Sequence, residues 1–291
     1  MKLKGVKLFT VIIVAAFVLM TTCATDNGDD KDNGDQIVID PNSKDDNNDN
    51  GDETVIDPNS KAGILAEIKA KWQEYGYSAK PTKYIAISFD DGPCSTSNNG
   101  GTAAMLAKLA ELNVKATFFV IGQNVRGNKA VARAIFNGGH ELGNHSDGYN
   151  ALGGSSINDI TANLNAASLA IKEIIGEYPS LFRAPNLDHG DNLSKVCKDM
   201  GMALIDGSTN DDWDGTGHTP TSIKNSVLAN PQDGGIILLH DNNTSKGDTL
   251  NALPDIINGL RERGFWIMTV SQLATVKEKS LEAGKRYNSI N

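Results

Sequence analysis

The 291-residue chain has no surplus of basic side chains. It carries 27 lysines and arginines against 36 aspartates and glutamates, for a formal net charge of −9. Nucleic-acid phosphates are bound by a basic face, so this balance argues against a nucleic-acid partner. It also lacks the run of about 20 apolar residues that a membrane-spanning helix needs; its most apolar stretch, Leu8 to Met20, is shorter. Cysteine is scarce, with three in all. Outside the N-terminal region only Cys94 and Cys197 remain, and both readings of them stand, a disulfide or two separate thiols. No glycine-rich dinucleotide fingerprint follows any apolar run, which weakens the usual function of an open doubly wound sheet. No segment reads as a separate carbohydrate-binding module.

The N-terminus has the layout of an export signal. Lys2, Lys4 and Lys7 precede the apolar run, and small residues ending Thr21-Thr22-Cys23-Ala24 follow it. Residues 1–23 are therefore expected to be a signal peptide, preferred over a retained anchor. Cys23 keeps two fates open: simple secretion, or lipidation at a bacterial lipoprotein-type site that would attach the protein to a membrane. Either places it outside the cytoplasm, secreted or at the cell surface. Residues 24–61 hold 12 acidic and 3 basic side chains, which accounts for the whole net charge. They are nearly all Asp, Asn, Gly, Ser and Lys, and a short duplication, Val-Ile-Asp-Pro-Asn-Ser-Lys, begins at Val38 and again at Val55. So little apolar surface cannot offset the entropy of ordering, so a flexible acidic linker is expected.

From residue 62 to 291 the texture changes to short apolar runs alternating with amphipathic segments. Strands are expected at Tyr84–Asp90, Ala116–Ile121, His140–His145, Leu181–Ala184, Ala203–Asp206, Gly235–His240 and Phe265–Val270. Helices are expected at Thr102–Leu112, Lys129–Asn137, Ile157–Ile175, Asn192–Met200 and Thr249–Arg263. Buried strands alternating with helices indicate parallel βα units. The fold class predicted is α/β, a distorted or incomplete (β/α) barrel of about seven parallel strands, with an open doubly wound sheet as its rival.

Five of these runs end in ionisable groups: Asp90, His145, Arg183, Asp206 and His240. Parallel strands bring their carboxyl ends to one face, where barrel active sites form. A lone Asp-Gly-Pro is usually a turn, and a lone strand-end histidine is usually structural. Five such ends together point to chemistry.

Ser88-Phe89-Asp90-Asp91-Gly92-Pro93 resembles the first motif of the polysaccharide deacetylases, carbohydrate esterase family four, related to nodulation-factor deacetylase. Gly139-His140-Glu141-Leu142-Gly143-Asn144-His145-Ser146 resembles the second motif and Phe182-Arg183-Ala184-Pro185 the third. Asp211-Asp212-Trp213 resembles the fourth and Ile237-Leu238-Leu239-His240-Asp241 the fifth. Order and spacing follow that family across residues 80–275. The resemblance implies one divalent metal ion, zinc or cobalt, bound by Asp91 and His145. It implies Asp90 as catalytic base aimed by Arg183, and His240 as catalytic acid oriented by Asp212. It further implies an oxyanion donor at the Asn186 backbone and an acetyl pocket lined by Trp213 and Leu239, for which plain core packing is an equal reading.

Two departures stand out. The family's second metal-binding histidine falls where this chain has Tyr149, a poor ligand unless ionised, which implies a metal held by two protein groups plus water. The third motif continues Asn186-Leu187-Asp188-His189-Gly190 in place of Tyr-Gly; there His189 is a loop residue in the main reading and a metal ligand in the lesser one. An eroded metal site suits an ester, the better leaving group, so the expected function is an acetylxylan esterase removing O-acetyl groups from an extracellular polysaccharide, working as a monomer. N-deacetylation of chitin-like oligomers or peptidoglycan is the alternative. A non-catalytic glycan-binding protein on the same scaffold is the reading from another class.

Overall fold

The structure is a computed structural model that describes residues 56–94, 101–149, 151–210, 218–241 and 248–291. The expected signal peptide with Cys23, the linker up to residue 55, and Asp211, Asp212 and Trp213 lie outside the described residues. Helix α1 (Lys61–Lys71) begins at the expected end of the linker, where the Ser60 side chain accepts the Gly63 N–H as an N-cap.

Seven strands, β1 (Lys83–Asp90), β2 (Thr117–Val120), β3 (Glu141–Asn144), β4 (Leu181–Phe182), β5 (Ala203–Ile205), β7 (Ile236–His240) and β8 (Phe265–Met268), form a curled parallel sheet. Two-residue strands β6 (Thr209–Asn210) and β9 (Arg286–Tyr287) extend its two ends, giving the order β6-β7-β1-β2-β3-β4-β5-β9, with β8 also on β1. The result is the incomplete barrel expected from the sequence. The C-terminal segment bridges the open side: β9 pairs with β5, and Ser289 then meets Gly235 at the foot of β7.

Helices α2 (Gly101–Glu111), α3 (Gly122–Gly127), α4 (Lys129–Asn137), α5 (Ile157–Ile175), α6 (Asp191–Asp199), α7 (Pro220–Ala229), α8 (Asp248–Glu262) and α9 (Val270–Val276) complete the domain. The sequence periodicity anticipated α2, α4, α5, α6 and α8. It passed over α1, α3, α7 and α9, which are short or weakly amphipathic. Helix α7 is announced locally instead, by Pro220 in its first turn and a Thr219/Ser222 capping box.

Strand β1 is buried along its last six residues because both its faces are covered. Its alternate side chains feed separate clusters. Ile85, Ile87 and Phe89 pack with Phe118, Val120, Ile237 and Leu239 under α2, α4 and α8. Ala86 packs with Phe119, Leu181 and Ile236 inside the curl, which Ile64 and Ile68 of α1 and Leu273 of α9 help fill. Cys197 is buried in a third cluster beside Leu193 and Val196, and burial pushes its thiol up to about 12. Cys94 and Cys197 are both free, so the disulfide reading is not realised.

His140 lies just before β3 and is 6% exposed. Its Nδ1 accepts the Ala116 N–H at 3.1 Å, and its ring meets Phe118 edge-on. Burial, with the Lys115 charge, lowers its pKa to about 4. A histidine depressed below its unfolded value of ~6.5 stabilises the fold fully above that pH, and the contribution is lost as pH falls toward the folded value. The size is about 3 kcal/mol. In His140→Asn, which keeps an acceptor for Ala116 without the titration, urea unfolding should show a wild-type advantage that shrinks by about that amount from pH 7.5 to 4. A difference that stays constant across this range contradicts the assignment.

Candidate active site

The carboxyl ends of β1, β3, β4 and β7 meet on one face. Arg183, just past β4, is 0% exposed, which a guanidinium tolerates only when its donors are met. Nη1 donates to Asp90 Oδ1 at 2.6 Å, Nε to the Ile205 carbonyl at 2.9 Å and Nη2 to the Asp206 carbonyl at 3.0 Å. The guanidinium carbon sits 4.1 Å above the Phe119 ring centroid, a cation–π contact inside the barrel. Phe119 can lie there because Gly143 has no side chain: a Cβ at Gly143 would stand 2.6 Å from the Phe119 ring.

With Oδ1 of Asp90 taken by Arg183, Oδ2 faces His145 Nε2 at 3.9 Å, too far for a hydrogen bond. The other imidazole nitrogen, Nδ1, lies 2.8 Å from the Arg183 carbonyl. A carbonyl only accepts, so Nδ1 carries a proton and Nε2 is the nitrogen left to face the carboxylates. Asp91 Oδ1 stands 3.3 Å from that nitrogen. Two ligands at ~2.1 Å from a tetrahedral ion are about 3.4 Å apart, so this pair fits one divalent cation. Both residues are buried. Among the described residues no third His, Cys, Asp or Glu side chain joins them in a metal-binding group.

Among the described residues, Tyr149, Asp147 and His189 each have other partners. Tyr149 is 55% exposed, and its hydroxyl donates to Asn186 Oδ1 at 3.1 Å. Asp147 forms a two-pronged pair with Arg126 at 2.7 and 2.9 Å. His189 Nε2 lies 3.0 Å from Asp206 Oδ1, which corrects the lesser expectation that it reaches the metal pair. The Asp206 carboxylate also accepts from Arg286 Nε. Burial raises its pKa, but the nearby His189 imidazole and the Arg286 guanidinium together outweigh that and leave it lowered. Of the five ionisable strand ends, Asp206 thus joins the site through its carbonyl, not its carboxylate.

His240 is the register partner of Asp90 across β1 and β7. Partners on adjacent parallel strands project to the same face about 4.8 Å apart, so acid and base candidates are neighbours. The same alternation corrects the expectation for Leu239. It is fully buried among Phe89 and Ile237 in the helix-covered core, while Leu238 shares the face of His240. In the turn after β4, the Leu187 and Asp188 N–H groups bond to the Ala184 and Pro185 carbonyls. That leaves Asn186 N–H as the amide the turn itself does not use; Asn186 has a φ of 55°.

Asp241 carries no role in the sequence reading, although it directly follows His240. It is buried, accepts from Thr102 Oγ1 at 2.6 Å, and leaves no room for a Cβ at Gly92, which would lie 2.4 Å from Oδ2. Burial pushes its carboxyl up to about 7, the nearby Asp91 adds to this, and the Thr102 bond works against it.

Residues 77–205 match the family profile described as polysaccharide deacetylase. The chain is 36% identical over 203 residues to a bifunctional xylanase/deacetylase of Pseudobutyrivibrio xylanivorans, covering 69% of this chain and 32% of that protein. It therefore spans about a third of that relative's length. It is 33% identical over 198 residues to a peptidoglycan-N-acetylglucosamine deacetylase of Bacillus cereus, covering 67% of this chain and 90% of the relative. Other curated proteins of comparable similarity are named as deacetylases of peptidoglycan or of chitooligosaccharides. A solved family 4 acetyl xylan esterase from Clostridium thermocellum, in complex with a cobalt ion, superposes with a TM-score of 0.66 at 35% identity, over 72% of this chain and 99% of that one.

Removing one partner of a buried ion pair strands the other, at a cost of about 3–5 kcal/mol. Arg183→Met should therefore destabilise the domain by about that much, and Arg183→Met with Asp90→Asn should recover part of the loss. Urea melts of both single variants and the double variant give the coupling; strictly additive losses would show that the two side chains do not act as a pair.

Proposed function

The chain belongs to the polysaccharide deacetylases, the family 4 carbohydrate esterases, and from that membership we propose that it hydrolyses N-acetyl groups from a peptidoglycan or chitin-like glycan outside the cytoplasm. The observation that carries the reading is Asp90, fixed by Arg183 at one oxygen and facing the Asp91–His145 pair with the other, one strand away from His240. The N-acetyl substrate takes precedence over the xylan ester expected from sequence because peptidoglycan and chitooligosaccharide deacetylases outnumber xylan enzymes among the similar curated proteins.

In this reading Asp91 Oδ1 and His145 Nε2 hold a divalent cation, zinc or cobalt. Bound there, such an ion supplies Lewis acidity toward an acetyl carbonyl. Asp90 Oδ2 takes the proton from the attacking water, while Arg183 balances the charge and fixes the carboxylate plane. The Asn186 N–H donates to the oxyanion of the tetrahedral intermediate. His240 protonates the departing sugar nitrogen, so each proton removed by the base is matched by one delivered by the acid. Asp212 orients His240 and Trp213 borders the acetyl group, as the resemblance implies; Leu238, on the face of His240, takes the place first given to Leu239.

A second reading is O-deacetylation of acetylated xylan, favoured by the names of the Pseudobutyrivibrio relative and the Clostridium structure. Acetate release from N-acetylated chito-oligomers, peptidoglycan and acetylated xylan separates the two. We expect release from the N-acetylated substrates that stops on chelation and returns with zinc or cobalt. Asp90→Asn or His240→Asn should lower kcat by about 10²–10⁴. Release from xylan alone selects the ester reading. No release from any substrate with any metal leaves a scaffold that binds glycan without cleaving it.

A further inference from the structure

At the opposite ends of β3 and β4 from the catalytic residues, a cleft of about 210 Å³ opens between the end of α4 and the loop joining α5 to β4. Two large aromatic rings border it while remaining open to solvent: Phe136 is 44% exposed and Tyr178 is 51% exposed. The Lys172 ammonium lies 4.0 Å from the Tyr178 ring centroid and steadies the ring. His140, nearly all of it buried, also lines the cleft. Because its Nδ1 accepts the Ala116 N–H, the neutral ring carries its proton on Nε2. That N–H meets no acceptor among the described residues. The N–H is not sealed from water, so it opens into the cleft, where a ligand hydroxyl can take the place of water.

The chemistry of these groups narrows the ligand. A protonated Nε2 does not bind metal, and the exposed Glu177 carboxylate on the rim opposes an anion. Two rings, one directed donor, and a carboxylate and hydroxyl (Glu177, Ser180) suit a neutral molecule with an apolar face and hydroxyls at its edge. The volume is below the ~300–1,000 Å³ of sites for drug-sized ligands, and is of the size of a single ring.

We propose that this cleft is a second, non-catalytic glycan site that takes one pyranose ring, stacked on Phe136 and Tyr178 and hydrogen-bonded by His140 Nε2–H. The proposal rests on the reading that the substrate is a glycan. A polymer of repeated rings held at both ends of β3 and β4 raises the effective concentration of its acetyl groups at the catalytic face without any new contact there.

The test uses the full chain. In an Asp90→Asn background, N-acetylchitotetraose and xylotetraose are titrated separately while the His140 imidazole ¹⁵N signals are followed. At least one sugar should shift the Nε2 signal saturably. Tyr178→Ala or Phe136→Ala, both at exposed positions, should weaken binding to insoluble glycan about tenfold, while acetate release from a soluble N-acetyl-chitobiose by the otherwise wild-type chain stays within twofold. Shifts confined to the catalytic face, or unchanged polymer binding in both variants, overturn the proposal. Acetate release with a silent cleft refutes this site and leaves the catalytic reading standing; a responsive cleft without acetate release does the reverse.

Discussion

A guanidinium with no exposed surface sits at the centre of the domain, and the placement of Asp90 and His145 follows from how its hydrogen-bonding groups are met. Arg183 can be buried only because Asp90 balances its charge, the Ile205 and Asp206 carbonyls take two further donors, and the Phe119 ring lies beneath it. Those partners come from β1, β2, β5 and the residue after β5, so satisfying one side chain ties the middle of the curled sheet together. It also fixes one oxygen of Asp90 and leaves the other facing His145. The smallness of Gly143 serves the same contact, since any Cβ there would displace the Phe119 ring.

The Arg183 carbonyl extends this arrangement to the cation pair. By accepting from His145 Nδ1 it holds the ring so that Nε2 faces Asp91 Oδ1. One residue thereby orients Asp90 through its side chain and His145 through its backbone. The loop after β3 takes Asp147 to Arg126 and leaves Tyr149 at the surface. Asp241, with its raised carboxyl pKa beside Asp91, adds a group whose charge state bears on the same corner.

The two ends of the parallel strands carry different groups. Strand alternation sends Asp90 and His240 to one side and Phe89 and Leu239 to the other, so the chemistry occupies the carboxyl ends and the packing lies between the strands and their helices. At the amino ends, the same β3 that delivers His145 begins beside a buried neutral histidine and two exposed aromatic rings.

Apolar runs and their ionisable ends were enough to read the parallel α/β architecture and the seven main strands, and to place Asp90, His145, Arg183 and His240 at strand ends, because burial on both faces and polar groups at strand ends leave a local imprint; Asp91 was singled out by the family resemblance. The short helices α1, α3 and α9 left a weaker one. Asp206, His189, Leu239 and Asp241 were decided by tertiary structure alone. Asp206 ends a strand just as Asp90 does, yet Arg286, 80 residues further on, claims its carboxylate. Leu239 and Leu238 are chemically identical, and only the register of β7 on β1 says which one faces the site. His140 reads as part of a motif; that it is neutral, fixed in one tautomer and open to a cleft follows from the Ala116 amide and the packing around it. Residue type and period are written along the chain, whereas partners are chosen in space, between segments whose separation in sequence carries no signal of their contact.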